Sequence, residues 1–321
     1  MDAHTGSPGL KLSIAPTSFT NTSHPLMHLT ASDTSLAQWS AGPGPVTKAN
    51  LTGKTVIVIG ANTGIGFQAA KHFATMKPAK VIVACRNKDK GVAAVSRLRQ
   101  ETGTDNVELQ IVDLSKFSSV KDFVVRVEKE EDRLDVLVAN AGVLAMEHNV
   151  TEDGWEETLQ VNDLSAVLMC ILLLPLMIKT SEKNPGTRPR IVVVGSTSHY
   201  LLTQGLEQNR KLRNLRIHSR FLTTLRGHRR MPFVRRDTLK ASLLRTAEEG
   251  SRQILWAALA HEEDPSLLRG SFVTHMKVTE PSDYVISEAG SKMQERIWKD
   301  IIQELSKVEP RVMEILDTVS R

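Results

Sequence analysis

The stretch Lys54–Arg86, KTVIVIGANTGIGFQAAKHFATMKPAKVIVACR, leaves the rest of the chain little freedom. Thr55, Val56, Ile57, Val58 and Ile59 form an unbroken β-branched run, the pattern of a strand buried on both faces of a parallel sheet. A turn with Gly60, Gly64 and Gly66 follows, then Phe67–Met76 with apolar residues at helical spacing, then a second apolar run, Val81–Ala84. Strand, glycine turn, helix and strand in so short a span make a βαβ unit. Glycine is wanted where such a turn lets backbone amides approach a phosphate at the helix N-terminus, so the unit reads as nucleotide-binding.

The next hundred residues repeat the alternation. Asn87–Glu101 carries Val92, Val95 and Leu98 on one face of a surface helix, and Gly103 ends it. Val107–Val112 is the third strand, Ser115 is placed to cap a helix with Phe117, Val120, Phe123, Val124 and Val127 inward, and Leu134–Ala139 is the fourth strand. A helical stretch runs from Thr151 to about Thr180, and Arg190–Val194 is the fifth strand. Parallel neighbours need a crossover each time, so the chain predicts a doubly wound α/β sheet. Leu164–Ile178 is almost wholly apolar, but it falls short of the roughly twenty residues that cross a bilayer and contains Pro175. It reads as a buried core helix, with no transmembrane segment. Past residue 245, Glu248–Leu259 is an amphipathic helix and Gly270–Val278 a short strand-like run. In Glu288–Leu305, Met293, Ile297, Ile301 and Leu305 recur every four residues, so that helix docks on the domain.

Gly60-Ala61-Asn62-Thr63-Gly64-Ile65-Gly66, spaced Gly-x-x-x-Gly-x-Gly, resembles the cofactor loop of the short-chain dehydrogenase/reductase family. Further pieces stand in that family's order: Asp113-Leu114, Asn140-Ala141-Gly142, Asn162 and Ser196. Ala84-Cys85-Arg86 is similar to the retinol-dehydrogenase-like branch. The resemblance implies a Rossmann-type sheet that binds a nicotinamide dinucleotide and acts on a small-molecule carbonyl or alcohol. It assigns the cofactor to Gly60, Asn62, Thr63, Gly64, Ile65, Gly66, Asn140, Ala141 and Gly142. Asp113 would hold the adenine through its side chain, with Leu114 contributing backbone; an ordinary helix cap is the equal alternative for Asp113. Arg86 would stand at the adenosine ribose, where an acid would accept hydroxyls and an arginine pairs with a 2′-phosphate, favouring NADP. Asn162 would support a proton-relay water. Ser196 would polarise the substrate carbonyl, with Thr197 and Ser198 as alternatives. The apolar helix at 164–178 would line a homodimer interface.

One part of the family pattern is missing. The proton for hydride transfer comes there from a tyrosine with a lysine four residues on, whereas Tyr200 is followed at that offset by Gln204 and Tyr284 by Glu288. In the place of the catalytic helix and sixth strand stands Gln204–Arg236, with ten Lys or Arg against the single acid Glu207. Unpaired charges of that density cannot be buried, so the block belongs at the surface. It reads either as a patch for an anionic partner, nucleic acid or membrane, or, preferably, as a misread exon that replaces one contiguous block. The sheet is therefore expected to lack or distort its sixth strand and catalytic helix. Whether the chain is an enzyme is open at this point, with a non-catalytic NADP-binding sensor or scaffold, or a defective gene product, as the alternatives.

Residues 1–50 are rich in Ser, Thr, Pro and Gly and poor in large apolar residues, which predicts a disordered leader before a single domain at 51–321. Trp39 could pack back on that domain. The leader lacks the apolar centre of a secretory signal, and Lys11 is the one basic residue among its first thirty, so the expected compartment is cytoplasmic. Cys85 and Cys170 both lie in apolar runs and read as reduced buried thiols.

Overall fold

The computed structural model describes residues 44–145, 147–196 and 245–320. Five parallel strands, β1 (Thr55–Ile59), β2 (Lys80–Cys85), β3 (Val107–Ile111), β4 (Val136–Ala139) and β5 (Arg190–Val193), form a sheet in the order β3-β2-β1-β4-β5. The crossover helices are α1 (Gly64–Thr75), α2 (Lys88–Thr102), α3 (Phe117–Glu130) and α4 (Ser165–Lys183). Three longer helices follow, α5 (Ala247–Leu259), α6 (Glu288–Val308) and α7 (Arg311–Val319), with a four-residue helical turn at Asp283–Ile286. The strand-like run at 270–278 is a two-residue hairpin, β6 (Val273–Thr274) with β7 (Lys277–Val278), separate from the main sheet.

The period-2 geometry of the strands divides the core in two. Ile57, Ile59, Ile82, Ala84, Leu137 and Ala139 face α3, α4, α6 and α7. Val56, Val58, Val81, Val83, Val136 and Val138 face α1, α2 and α5. The β1 side chains are buried on both faces, as the unbroken β-branched run predicts. The span where a sixth strand and catalytic helix were expected to be lost lies outside the described residues, and so does the basic block at 204–236.

Three boundaries differ from the sequence expectation. Ser115 does not cap α3. Its hydroxyl instead donates to Asp113 Oδ1, and the free amide at the start of α3, Phe117 N, donates to Asp153 Oδ2 at 2.8 Å, an acceptor brought from 36 residues away. The long helix starts at Glu157 rather than Thr151, because Val150 and Glu156 pair across a small loop first, and it widens into a π turn over Gln160–Leu164. Residues 44–50, read as the end of the leader, are docked: Val46 and Ala49 pack on the α5 face, and Arg252 Nη1 donates to the Gly44 carbonyl at 3.0 Å. The rest of the leader, with Trp39, lies outside the described residues.

From Glu157 to Lys183 the helix is long and apolar enough to cross a membrane by length and composition, which corrects the reading of the fifteen-residue run as too short. Two thirds of its most apolar window (67%) is nevertheless buried within the chain. The sheet, α3 and α7 pack against it, while Val167, Cys170, Leu174 and Ile178 are only partly buried.

Candidate functional site

The glycine turn is built by close approach. Gly60 has φ +77°, and a Cβ there would lie 2.8 Å from Ala141 Cα. A Cβ on Gly66 would lie 2.5 Å from both Asn140 Nδ2 and the Gly60 carbonyl oxygen. Asn140 Nδ2 donates to Ile59 O at 3.0 Å, which staples the end of β4 to the end of β1. The Gly60 loop and the Asn140-Ala141-Gly142 turn, eighty residues apart in sequence, are thus one surface. Gly64 has φ +61° with nothing within 4 Å, so glycine serves there for conformation and leaves open space beside it.

That space adjoins the N-terminus of α1. The N-cap of α1, Thr63, makes no side-chain capping bond, and the first turn holds no acid. The first amides of a helix have no partner within it, so those of α1 are available to an anion. Asn62 is half-buried, while Thr63, Gly64 and Ile65 are exposed.

The order of the sheet puts the ends of β2 and β3 on one side of this turn. Arg86 is exposed directly after β2, and Val112 N donates to Cys85 O at 3.1 Å, carrying the β2–β3 pairing up to it. Burial pushes the neighbouring Cys85 thiol up. Asp113 is half-buried, with Oδ1 accepting from Ser115 N (3.0 Å) and Ser115 Oγ (2.7 Å). Leu114 is buried, and its carbonyl accepts from Ser165 Oγ at 2.6 Å. The helix-cap alternative for Asp113 is set aside by this geometry, since its carboxylate closes its own loop.

On the other side of the turn, Asn162 is committed to the backbone of Val143. Its Oδ1 accepts from Val143 N at 2.8 Å and its Nδ2 donates to Val143 O at 2.9 Å. Gly142 is exposed, and a Cβ there would lie 3.3 Å from Asn162 Oδ1. Ser196 is exposed just past β5, which Val194 N continues by donating to Ala139 O at 3.0 Å. A cleft of about 430 Å³ joins Ile65 of the glycine turn to Val194 and Ser196, with Gly250, Ile254 and Thr274 on its far side. Thr197, Ser198 and Tyr200 lie outside the described residues. Tyr284 is absent from this lining, and its hydroxyl is buried without a hydrogen-bond partner among the described residues.

Sequence reasoning overlooked several supports. Gly250 on α5 stands 3.2 Å, measured from a notional Cβ, from Ile65 Cδ1. The helix that carries it opens with a reciprocal Thr246–Glu249 capping box, a signal present in the sequence as Thr-x-x-Glu. Glu248 beside it accepts from Arg252 and pairs with His72 of α1 at 3.0 Å. Burial outweighs that carboxylate and holds His72 below the usual histidine range, while Arg252 holds Glu248 below the usual carboxylate range. Asp153, Gln160 and Ser165 had no local signal, because each acts on a distant loop.

A parallel sheet in this order, with a glycine turn from its central strand into a helix and the flanking turns gathered at the same strand ends, defines a Rossmann-type nucleotide-binding protein. Comparison with known proteins gives the particular family. The short chain dehydrogenase family model matches residues 54–201. A short chain dehydrogenase/reductase, dmxR8, of Cryptosporiopsis sp. (strain 8999) is 27% identical over 314 residues, covering 84% of this chain and 95% of that protein. Retinol dehydrogenase 13 of Homo sapiens is 38% identical over 165 residues, covering 51% of this chain and 47% of that protein. The chain thus matches nearly all of the first relative and about half the length of the second. A crystal structure of an uncharacterized protein from Mycobacterium Paratuberculosis superposes with a TM-score of 0.54 at 25% identity, over 80% of this chain and 94% of that one. Over residues 54–201 the chain matches the short-chain dehydrogenase/reductase family of oxidoreductases.

Proposed function

We propose that this protein binds NADP(H) and is an oxidoreductase of slow turnover on a carbonyl/alcohol pair. The observation that carries the cofactor choice is Arg86: the tip of β2 beside the open glycine turn presents an exposed guanidinium where an acid would favour NAD. In this reading the α1 amides at Gly64, Ile65 and Gly66 receive the pyrophosphate, Asn62 and Thr63 flank it, and Asp113 and Leu114 border the adenine. Asn140, Ala141 and Gly142 let the backbone pass close to the dinucleotide. When bound, the nicotinamide supplies or accepts the hydride.

The chain's own contribution to chemistry is polarisation and order. The Ser196 hydroxyl donates to the substrate carbonyl, which stabilises charge developing on that oxygen. Asn162 acts through Val143, holding the turn after β4 in place; its amide is already occupied, so any relay water would bind to the backbone around it. Ile65 and Val194 give the cleft apolar walls that suit a lipophilic alcohol or aldehyde. The likeness to retinol dehydrogenase 13 supports that substrate class. The chain has no Tyr-x-x-x-Lys pair, so the acid would be water or a stand-in such as Tyr200, and loss of a positioned acid typically costs about 10²–10⁴-fold in rate.

Fluorescence titration of the full chain with NADPH and NADH, for the native protein and Arg86→Ala, tests the reading. Saturable binding that prefers NADPH, with the preference lost in Arg86→Ala, is expected. Equal affinity for the two cofactors in the native chain overturns the assignment of Arg86. The absent pair also favours a second reading, a non-catalytic NADP sensor. Bound NADPH that survives aldehydes, ketones and quinones over hours would favour the sensor, and consumption at any measurable rate would exclude it.

A further inference from the structure

The helical turn that leads into α4 carries three polar side chains, each ending on a different loop. Asn162 clamps the Val143 backbone after β4. Gln160, fully buried, donates from Nε2 to Asp153 Oδ2 at 2.6 Å, the same oxygen that caps Phe117 N at the start of α3. Ser165, also fully buried, donates to the Leu114 carbonyl at 2.6 Å.

In a regular α-helix, residues five apart point about 140° away from each other, at 3.6 residues per turn. Here the Ser165 amide donates to the Gln160 carbonyl, a π turn, and the extra residue per turn brings positions 160 and 165 closer to the same side. Ser165 then reaches the connection that follows β3 directly and Gln160 acts on it through Asp153, while Asn162 reaches the connection after β4. One widened turn sets the two walls of the candidate nucleotide site against each other.

We propose that Ser165 is a positioning residue for nucleotide binding: its hydroxyl fixes the Leu114 carbonyl, and so the Asp113–Leu114 backbone that borders the adenine. This rests on the nucleotide reading given above. Removing the hydroxyl leaves a buried carbonyl without its donor, and the loop moves to recover one.

The test is calorimetric titration of the full chain with 2′,5′-ADP, for the native protein, Ser165→Ala and Thr180→Ala. Thr180 is a matched control. Its hydroxyl is buried in the same helix, accepts from Leu134 N at 2.8 Å and donates to Leu176 O at 2.7 Å, and stands four turns from Ser165. Both variants melt below the native chain. Ser165→Ala is expected to weaken 2′,5′-ADP binding about tenfold, the worth of one buried hydrogen bond, with Thr180→Ala within about twofold of native. Equal affinities for the two variants would overturn the positioning role while leaving the nucleotide site intact. If the native chain fails to bind 2′,5′-ADP, the nucleotide reading falls and this inference with it. Should Ser165→Ala not fold, Ser165→Cys keeps the volume with a weaker donor. At least threefold weaker binding, as expected for roughly half such a bond, supports the role, and native affinity overturns it.

Discussion

Gly66→Ala puts the close-approach account of the glycine turn under direct test. The new methyl would sit 2.5 Å from the Gly60 carbonyl oxygen and 2.5 Å from Asn140 Nδ2, where ordinary contact begins at 3.4 Å. One of these neighbours is backbone and the other is held by its bond to Ile59 O, so neither can yield cheaply. The loop must open by on the order of an ångström, in an interior packed as densely as a crystal. Overpacking of this kind costs about 1–3 kcal/mol, and the melting temperature should fall by about 2–4 °C for each kcal/mol. Urea unfolding monitored by circular dichroism measures the cost. The partner variant Asn140→Ala removes one of the two obstacles. The double variant should then be less destabilised than the sum of the singles by at least about 0.5 kcal/mol, since the singles share one contact. A Gly66→Ala protein as stable as native, or strictly additive costs in the double variant, would refute the reasoning. Gly64→Ala is the contrast: it meets no atom within 4 Å, so its cost is the left-handed backbone alone, about 1–2 kcal/mol, with no coupling to Asn140.

Arg190→Met should destabilise the chain by about 1.5–3 kcal/mol in the same assay, because the guanidinium donates to the carbonyls of Ala257, Ala260 and His261 at the end of α5; a change under about 0.5 kcal/mol would mean that water replaces it freely. Burial holds both His72 and His275 below their ordinary value of 6.5. Their neutral forms favour the folded state, so this stabilisation is complete above 6.5 and is lost as the pH falls toward the folded values. Unfolding free energy should therefore decline between neutral pH and mildly acidic pH, and His72→Gln should flatten part of that decline; an unchanged slope would count against it. The Cys170 thiol is pushed up to about 12 by burial, and Cys85 is raised as well. Cys85, which is buried, should not react with a thiol-directed disulfide reagent at pH 8 until denaturant is added, and prompt labelling at Cys85 in the native chain would contradict the packing described.

The elements of the sheet were legible from the chain because their signals are local. The β-branched run of β1, the glycines of its turn and the left-handed Gly103 at the end of α2 depend on the residues in place, whatever surrounds them. The same locality located the candidate cofactor residues, whose order along the chain follows the ends of successive strands. Signals that close over distance were misread. Ser115 looked like the cap of α3 because it stands at the right offset, yet Asp153 supplies the acceptor from across a loop. The long helix looked as though it started at Thr151, yet Val150 and Glu156 pair first and it starts at Glu157.

Asn162 shows the same division within one residue. The family resemblance marked it as functional, but nothing in the sequence says that both ends of its amide close on Val143. By itself the sequence determined a nucleotide-binding parallel sheet, through periodicity and glycine geometry that each segment carries alone. The tertiary structure alone decided which turns share a wall, how closely Gly66 meets Gly60 and Asn140, and which buried side chains hold those turns. Apart from the meeting of Gly66 with Gly60, such contacts join residues nineteen to eighty positions apart, and no periodicity in the chain records them.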